Sequence, residues 1–102
     1  HYTEAYDGIN SLIEQYPDCA MAYAARGGME KERGMLELAE FDYAKAMELD
    51  AGNEDFAFNH VDILILLGRK DEAYRDLKKL LDAGCQPGRL QNFYARLKKK
   101  KK

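Results

Sequence analysis

Residues 18–51 read DCAMAYAARGGMEKERGMLELAEFDYAKAMELDA, and the second half of that stretch decides the fold. Ala39, Tyr43, Ala46 and Met47 fall at i, i+4, i+7 and i+8, which puts their side chains on one face of a helix. A step of 34 residues back meets Ala5, Ile9, Leu12 and Ile13; the same step forward meets Ala73, Leu77, Leu80 and Leu81. Gly34 and Gly68 are also 34 apart, and Pro17 shares a column with Ala51 and Cys85. So many columns in register mark a repeat. The alanine that heads each face matters physically, because a neighbouring helix comes within about 8–10 Å only where side chains are short.

Working outward, a partner segment precedes this face twice, at Cys19–Arg33 and Glu54–Leu67, and each ends at a glycine suited to a left-handed helix stop. Asp18 and Asn53 stand just before these segments as N-caps, with Glu54 and Asp55 at the positive end of the second helix dipole. Six helices are expected, near 2–15, 19–33, 35–49, 54–67, 70–82 and 88–98. The last carries Leu90, Phe93, Tyr94 and Leu97 on one face, with Pro87 near its first turn, and reads as a cap for the apolar end of the stack. The fold expected is all-α, a right-handed solenoid of antiparallel helix pairs. It forms one domain over 1–97: the second helix of a truncated unit (2–17), full units at 18–51 and 52–85, and the capping helix at 86–97, followed by a lysine tail at 98–102. Because the first unit shows only its second helix, residues upstream are expected, and the outer face of the opening helix should be partly bare.

The composition fits one small helical domain. The 102 residues are 46% hydrophobic and 33% charged, too apolar for a disordered chain. The aliphatic run Ile63 to Leu67 is far short of the roughly 20 residues that span a bilayer. Net charge is −2, but the five lysines Lys98 to Lys102 offset an acidic body, so a basic tail follows an acidic domain. Cys19 and Cys85 lie 66 residues apart with no CxxC spacing, which points to reduced thiols and a cytoplasmic setting rather than a disulfide framework.

The residues Tyr23-x2-Arg26-Gly27-x2-Glu30, then Ala39-x3-Tyr43 and Ala46, resemble the tetratricopeptide repeat, whose pattern is W-x2-L-G-x2-Y, A-x3-F and a closing Pro. Arg26, Glu30 and Ala51 depart from it. The unit before retains Ala5, Ile9, Leu12 and Pro17, and the unit after has Ala57, His60, Val61 and Leu64, then Gly68 and Asp71-Glu72-Ala73. The resemblance covers residues 2–85 and implies that the first helices of successive units line an inner, peptide-binding groove. The stripe it places there is Met21, Ala24, Gly28 and Lys31 from one unit and Asp55, Phe58, Asp62 and Ile65 from the next, both at the 3, 4, 3 spacing of a shared helix face. Phe58 is the expected apolar anchor. A subclass of such modules grips the free carboxylate of chaperone tails with Lys, Arg and Asn. Here the corresponding positions are Met21, Ala24, Ala25, Gly28, Asp55, Phe58, Asn59 and Asp62, of which only Asn59 fits, and the acidic groups argue against that ligand.

Catalysis finds little support. There are two histidines, and His60, among Val61, Ile63 and Leu64, reads as a helix-packing residue. Glu30, Glu32, Glu37, Glu40 and Asp42 lie beside Lys31, Arg33 and Lys45 as on a solvated helix face, and Arg26 with Glu30 four residues later makes a same-face ion pair worth about 0.2–0.5 kcal/mol. No metal site or cofactor is expected. The lysine tail attracts polyanions only non-specifically, and the acidic body opposes a phosphate backbone. The expected function is therefore a protein–protein scaffold binding a peptide or helix in the groove, with acidic residues favouring neutral or basic ligands. The alternative is a structural module that packs within a larger protein or self-associates through its opening helix.

Overall fold

The computed structural model describes residues 2–99, which form six α-helices and a short 3-10 turn, with no strand among them. The helices are α1 (Tyr2–Gln15), α2 (Ala20–Glu32), α3 (Leu36–Leu49), α4 (Glu54–Leu66), α5 (Lys70–Asp82) and α6 (Gln91–Lys98), the last entered through the 3-10 turn Pro87–Leu90. Lys98 closes α6 and Lys99 follows it; His1 and the tail residues Lys100–Lys102 lie outside the described residues. None of the helices is long and apolar enough to cross a membrane.

Glycine sets where the chain reverses. Gly34, Gly68 and Gly84 have φ of 77°, 78° and 101°, the left-handed region where a side chain is strained. The residue after each glycine closes the preceding helix from its own N–H, Met35 to Glu30 O at 2.8 Å, Arg69 to Leu64 O and Cys85 to Leu80 O both at 2.9 Å. These are the six-to-one bonds of the Schellman motif, which satisfies carbonyls that a helix end leaves open. The sequence marks the first two stops and misses the third. At the N-terminal ends, Asn53 caps α4 by accepting from the Phe56 N–H at 3.1 Å. Asp18 does not cap α2: the cap position is Cys19, without a side-chain bond, so the helix starts one residue late for Asp18 to reach its amides.

Each helix packs on the next, α1 on α2, α2 on α3, α3 on α4 and α4 on α5, and α6 comes back against α4. The repeat columns are the core. Ala39, Ala46, Ala73 and Leu77 are fully buried, with Tyr23, Tyr43 and Phe56 filling the first half and Val61, Leu64, Leu90 and Leu97 the second. Both cysteines are free, Cys19 half-buried and Cys85 buried.

Gly27 marks a close approach of two helices. A β-carbon there would lie 2.9 Å from the Tyr43 ring and 3.4 Å from the Ala39 carbonyl, so α2 and α3 meet only because Gly27 lacks one. One period later the same two columns hold Val61 and Leu77, a larger residue facing a smaller one. Gly27→Val should therefore overpack the pair and lower stability by about 1–3 kcal/mol. Adding Tyr43→Leu, which copies the second unit, should recover most of that loss. Chemical denaturation of the two single variants and the double variant measures the coupling, and independent, additive losses would show that the two residues do not limit each other.

Candidate functional site

The stripe expected to face a ligand is divided by the structure. Met21 is 66% exposed, and Asp55 is exposed at the start of α4. Ala24 is buried, Gly28 is half-buried under the Tyr43 hydroxyl, and Ile65 packs against the core. Lys31 of α2 pairs with Asp62 of α4, whose second oxygen takes Arg96 of α6 at 2.7 Å, so one row of charge crosses three helices. Burial of Asp62 works against its charge, but hydrogen bonds from Lys31 and Arg96 outweigh it and hold the carboxyl below its usual range. The negative charge on this stripe is thereby largely neutralised, and Asp55 is its remaining carboxylate without an ion-pair partner among the described residues.

Phe58, the expected anchor, lies under the C-terminal segment. Arg89 places its guanidinium 4.6 Å from the Phe58 ring centre and Phe93 stacks at 5.9 Å, while Arg89 also binds Glu54 at 2.5 Å. A cation over a ring face and two tilted rings are each favourable by about 0.5–1.5 kcal/mol, so this cover is held rather than merely adjacent. The inner stripe of α4 is thus a contact surface for α6, and the open part of the stripe is the Met21 end.

A second arrangement is built from residues the sequence reading left on the surface. Glu30 and Asp42 are each only 2% exposed, which corrects their placement on a solvated face. Arg26 binds Asp42 through two N–H groups, both at 2.8 Å, reaches Asn10 of α1 at 2.9 Å, and stands 3.9 Å from Glu30. Its main partner is thus across the helix interface and not one turn along its own helix. Tyr6 of α1 donates to Glu30 at 2.7 Å. The other Glu30 oxygen is buried with no acceptor role filled. Burial and the neighbouring Asp42 carboxyl push the Glu30 acid up to about 7, against the smaller opposing effect of Tyr6, so Glu30 holds a proton well into the neutral range. Tyr6, whose hydroxyl is held by that hydrogen bond, is pushed up to about 12.

The same device recurs one period on. His60 stands in the column of Arg26, and Asp76 in that of Asp42. His60 Nδ1 binds Asp76, and its Nε2 binds Glu40 at 2.9 Å, with Arg69 bridging Glu40 at 3.3 Å and Glu72 at 2.7 Å. Burial disfavours the imidazolium, but the two carboxylates more than compensate and raise the histidine above its ordinary value. The signal was legible: a cation and an aspartate 16 residues apart, in register in both units.

Above the first cluster lies a cleft of about 510 Å³ between α1 and α3, with Arg26, Glu30 and Asp42 as its floor and Ile13, Leu38 and Phe41 at its rim. Phe41 is 64% exposed although most aromatics fall in core columns. The floor is bonded within the cluster apart from one Glu30 oxygen, and Glu14 joins the apolar residues in lining the cleft. No group of three His, Cys, Asp or Glu among the described residues is placed to hold a metal ion. The chain matches no protein-family model, and no curated protein matches it.

Both clusters give stability a direction with pH. Glu30 binds its proton more tightly folded than unfolded, so stability falls as pH rises from 4.5 towards 7. His60, also raised, contributes fully below 6.5 and loses its contribution as pH rises through its folded value. Melting temperature should therefore drop from slightly acidic to mildly alkaline buffer. Glu30→Gln, a neutral group of the same shape, should melt higher than the parent above pH 7 and narrow the difference below it. Parallel melting curves at all pH values would show that Glu30 is ionised in the folded protein.

Proposed function

We propose that the chain is a right-handed solenoid of antiparallel helix pairs of the tetratricopeptide type and that it serves as a scaffold for a peptide or helix of another protein, without catalytic activity of its own. The observation that carries this reading is the row Lys31–Asp62–Arg96, which brings side chains of α2, α4 and α6 together on one face. That face holds the first helix of each unit, as the 34-residue resemblance implies. Met21 supplies an open apolar contact there, and Asp55, one period on in the same column, supplies an exposed carboxylate. An apolar side chain seated at Met21 gives affinity, and a neutral or basic neighbour at Asp55 gives preference, since charges at a rim mostly set selectivity and rate. Glu30 and His60, the acid and base held above their ordinary values, are buried and bonded to partners within the fold, which supports a structural role for them over proton transfer to a substrate.

A second reading, structural packing or self-association through α1, has one observation in its favour. Leu12 is 41% exposed, whereas Ala46 and Leu80 in the same column are buried.

Peptides selected by display against the chain, acidic and basic pools competing, test the first reading. The expected result is a preference for neutral or basic sequences and amide shifts centred on Met21, Lys31 and Asp55. Met21→Glu should weaken such a peptide about tenfold or more with the melting curve unchanged. Phe58→Ala should instead destabilise by about 1–3 kcal/mol, less than the ~3–5 kcal/mol of a fully buried phenylalanine. Amide shifts confined to α1, α3 and α5 would place the partner on the other face and defeat the groove reading.

A further inference from the structure

The cleft between α1 and α3 departs from its counterpart in the second unit, and the departures all run one way. One period after Glu30 stands Leu64, fully buried in the core, so an apolar side chain serves the fold at this position. One period after Leu38 and Phe41 stand Glu72 and Arg75, charged as an outer face in water normally is. The first unit thus has a carboxyl where packing favours hydrocarbon, and hydrocarbon where solvent favours charge. Neither exchange helps stability. Together they set a polar floor under an apolar rim, which is the layout of a site for a small ligand.

The cleft, about 510 Å³, is of the size such sites have. At its floor Glu30 is 2% exposed, with Oε2 taken by the Tyr6 hydroxyl and Oε1 without a hydrogen-bond partner. The walls do not depend on a chain end. Leu38 and Phe41 belong to α3, which packs between α2 and α4, and Tyr6 and Ile13 stand in the columns of Glu40 and Met47, which in α3 face the following unit. Charge in the cleft is unequal: Glu14, Glu30 and Asp42 line it, and the cation among the lining residues, Arg26, is already held by Asp42 through two N–H groups and by Asn10.

We propose that this cleft binds a small primary amine with an aromatic or alkyl body, its ammonium on Glu30 and its body between Ile13, Leu38 and Phe41. An ammonium carries three N–H donors on a compact charge, which suits the open Glu30 oxygen and the Glu14 carboxylate at the rim. An anion would meet three carboxyl groups, and a second guanidinium would need the edge of Asp42 that Arg26 covers. The ammonium takes the place of the proton that Glu30 otherwise holds. Binding therefore releases one proton to solvent, and the floor of Arg26, Asp42 and Glu30 stays neutral before and after. The groups that set this exchange are Tyr6 and Glu14 from α1, Arg26 beside Glu30 on α2, and Asp42 from α3. The site shares no residue with the stripe from Met21 to Ile65, so it stands whatever that stripe binds.

Phenethylamine titrated into the full chain should shift the amides of Asn10, Ile13, Glu30 and Phe41, with a dissociation constant of about 1 mM for so small a ligand. Phenylethanol, neutral and of the same shape, should bind about tenfold more weakly or worse. Affinity for the amine should rise about tenfold from about pH 6 to about pH 8, because Glu30 gives up its proton there while the amine keeps its own. Glu30→Gln should weaken the amine about tenfold and flatten that pH profile. Phe41→Arg copies the second unit at a position 64% exposed, so it should weaken binding about tenfold with the melting curve unchanged. Equal affinity for amine and alcohol overturns the proposal, as does a flat pH profile in the parent or full binding by Glu30→Gln. A lysine peptide that shifts these amides where phenethylamine shifts none also overturns it, and makes the cleft a docking surface for another protein.

Discussion

The distance between α2 and α3 at Gly27 is the constraint on which the neighbouring geometry depends. With no β-carbon at that point an edge of the Tyr43 ring packs against Gly27, and the two helices come close enough for Arg26 to reach Asp42 with both arms. Separating the helices by the width of one methyl group would stretch those bonds beyond hydrogen-bonding range. The second unit solves the same problem with Val61 and Leu77, and there the polar pair is His60 with Asp76. Backbone approach and polar pairing are thus linked in both units: small or complementary residues set the spacing, and the charged pair fixes the rotation and register of one helix on the other.

That linkage explains why buried charge is tolerated in so small a core. Moving an ion out of water costs several kcal/mol, and the return depends on satisfying nearly every polar atom. Arg26 makes three hydrogen bonds, and Glu30 avoids most of the penalty by keeping its proton. An apolar pair of similar volume would stabilise at least as well, but it would allow neighbouring registers that an arginine fork on a carboxylate does not.

The helices were legible in the sequence because the 34-residue columns carry both the apolar face and the glycine stops, and these are local signals. Six elements and the breaks at Gly34 and Gly68 follow from them. The end of α5 at residue 82 was placed, but the stop at Gly84 was not singled out, because one period back its column holds Asp50 and not a glycine. The partners of Glu30, Asp42 and His60 were not found because a charged residue on an amphipathic helix reads as solvated unless its counterpart in another helix is considered at the same time. The period held that information, since Arg26 and His60 share a column and Asp42 and Asp76 share another. For the inner stripe, spacing placed Phe58, Asp62 and Lys31 on helices correctly but could not show that α6 folds back over Phe58, because that contact depends on the angle at which the chain leaves Cys85 and enters the 3-10 turn.

The ion pairs and side-chain hydrogen bonds named above span at most 35 residues of chain, the longest being Arg89 to Glu54. Only short loops have to close before each native contact forms, and the entropy of closing a loop grows slowly but is incurred before the contact can repay it. A chain organised in this way belongs with the fast folders, in which relative contact order is low. Structure can begin at any adjacent helix pair and spread in either direction, so a defect at one end slows or frays that end while leaving the kinetics of the other nearly untouched.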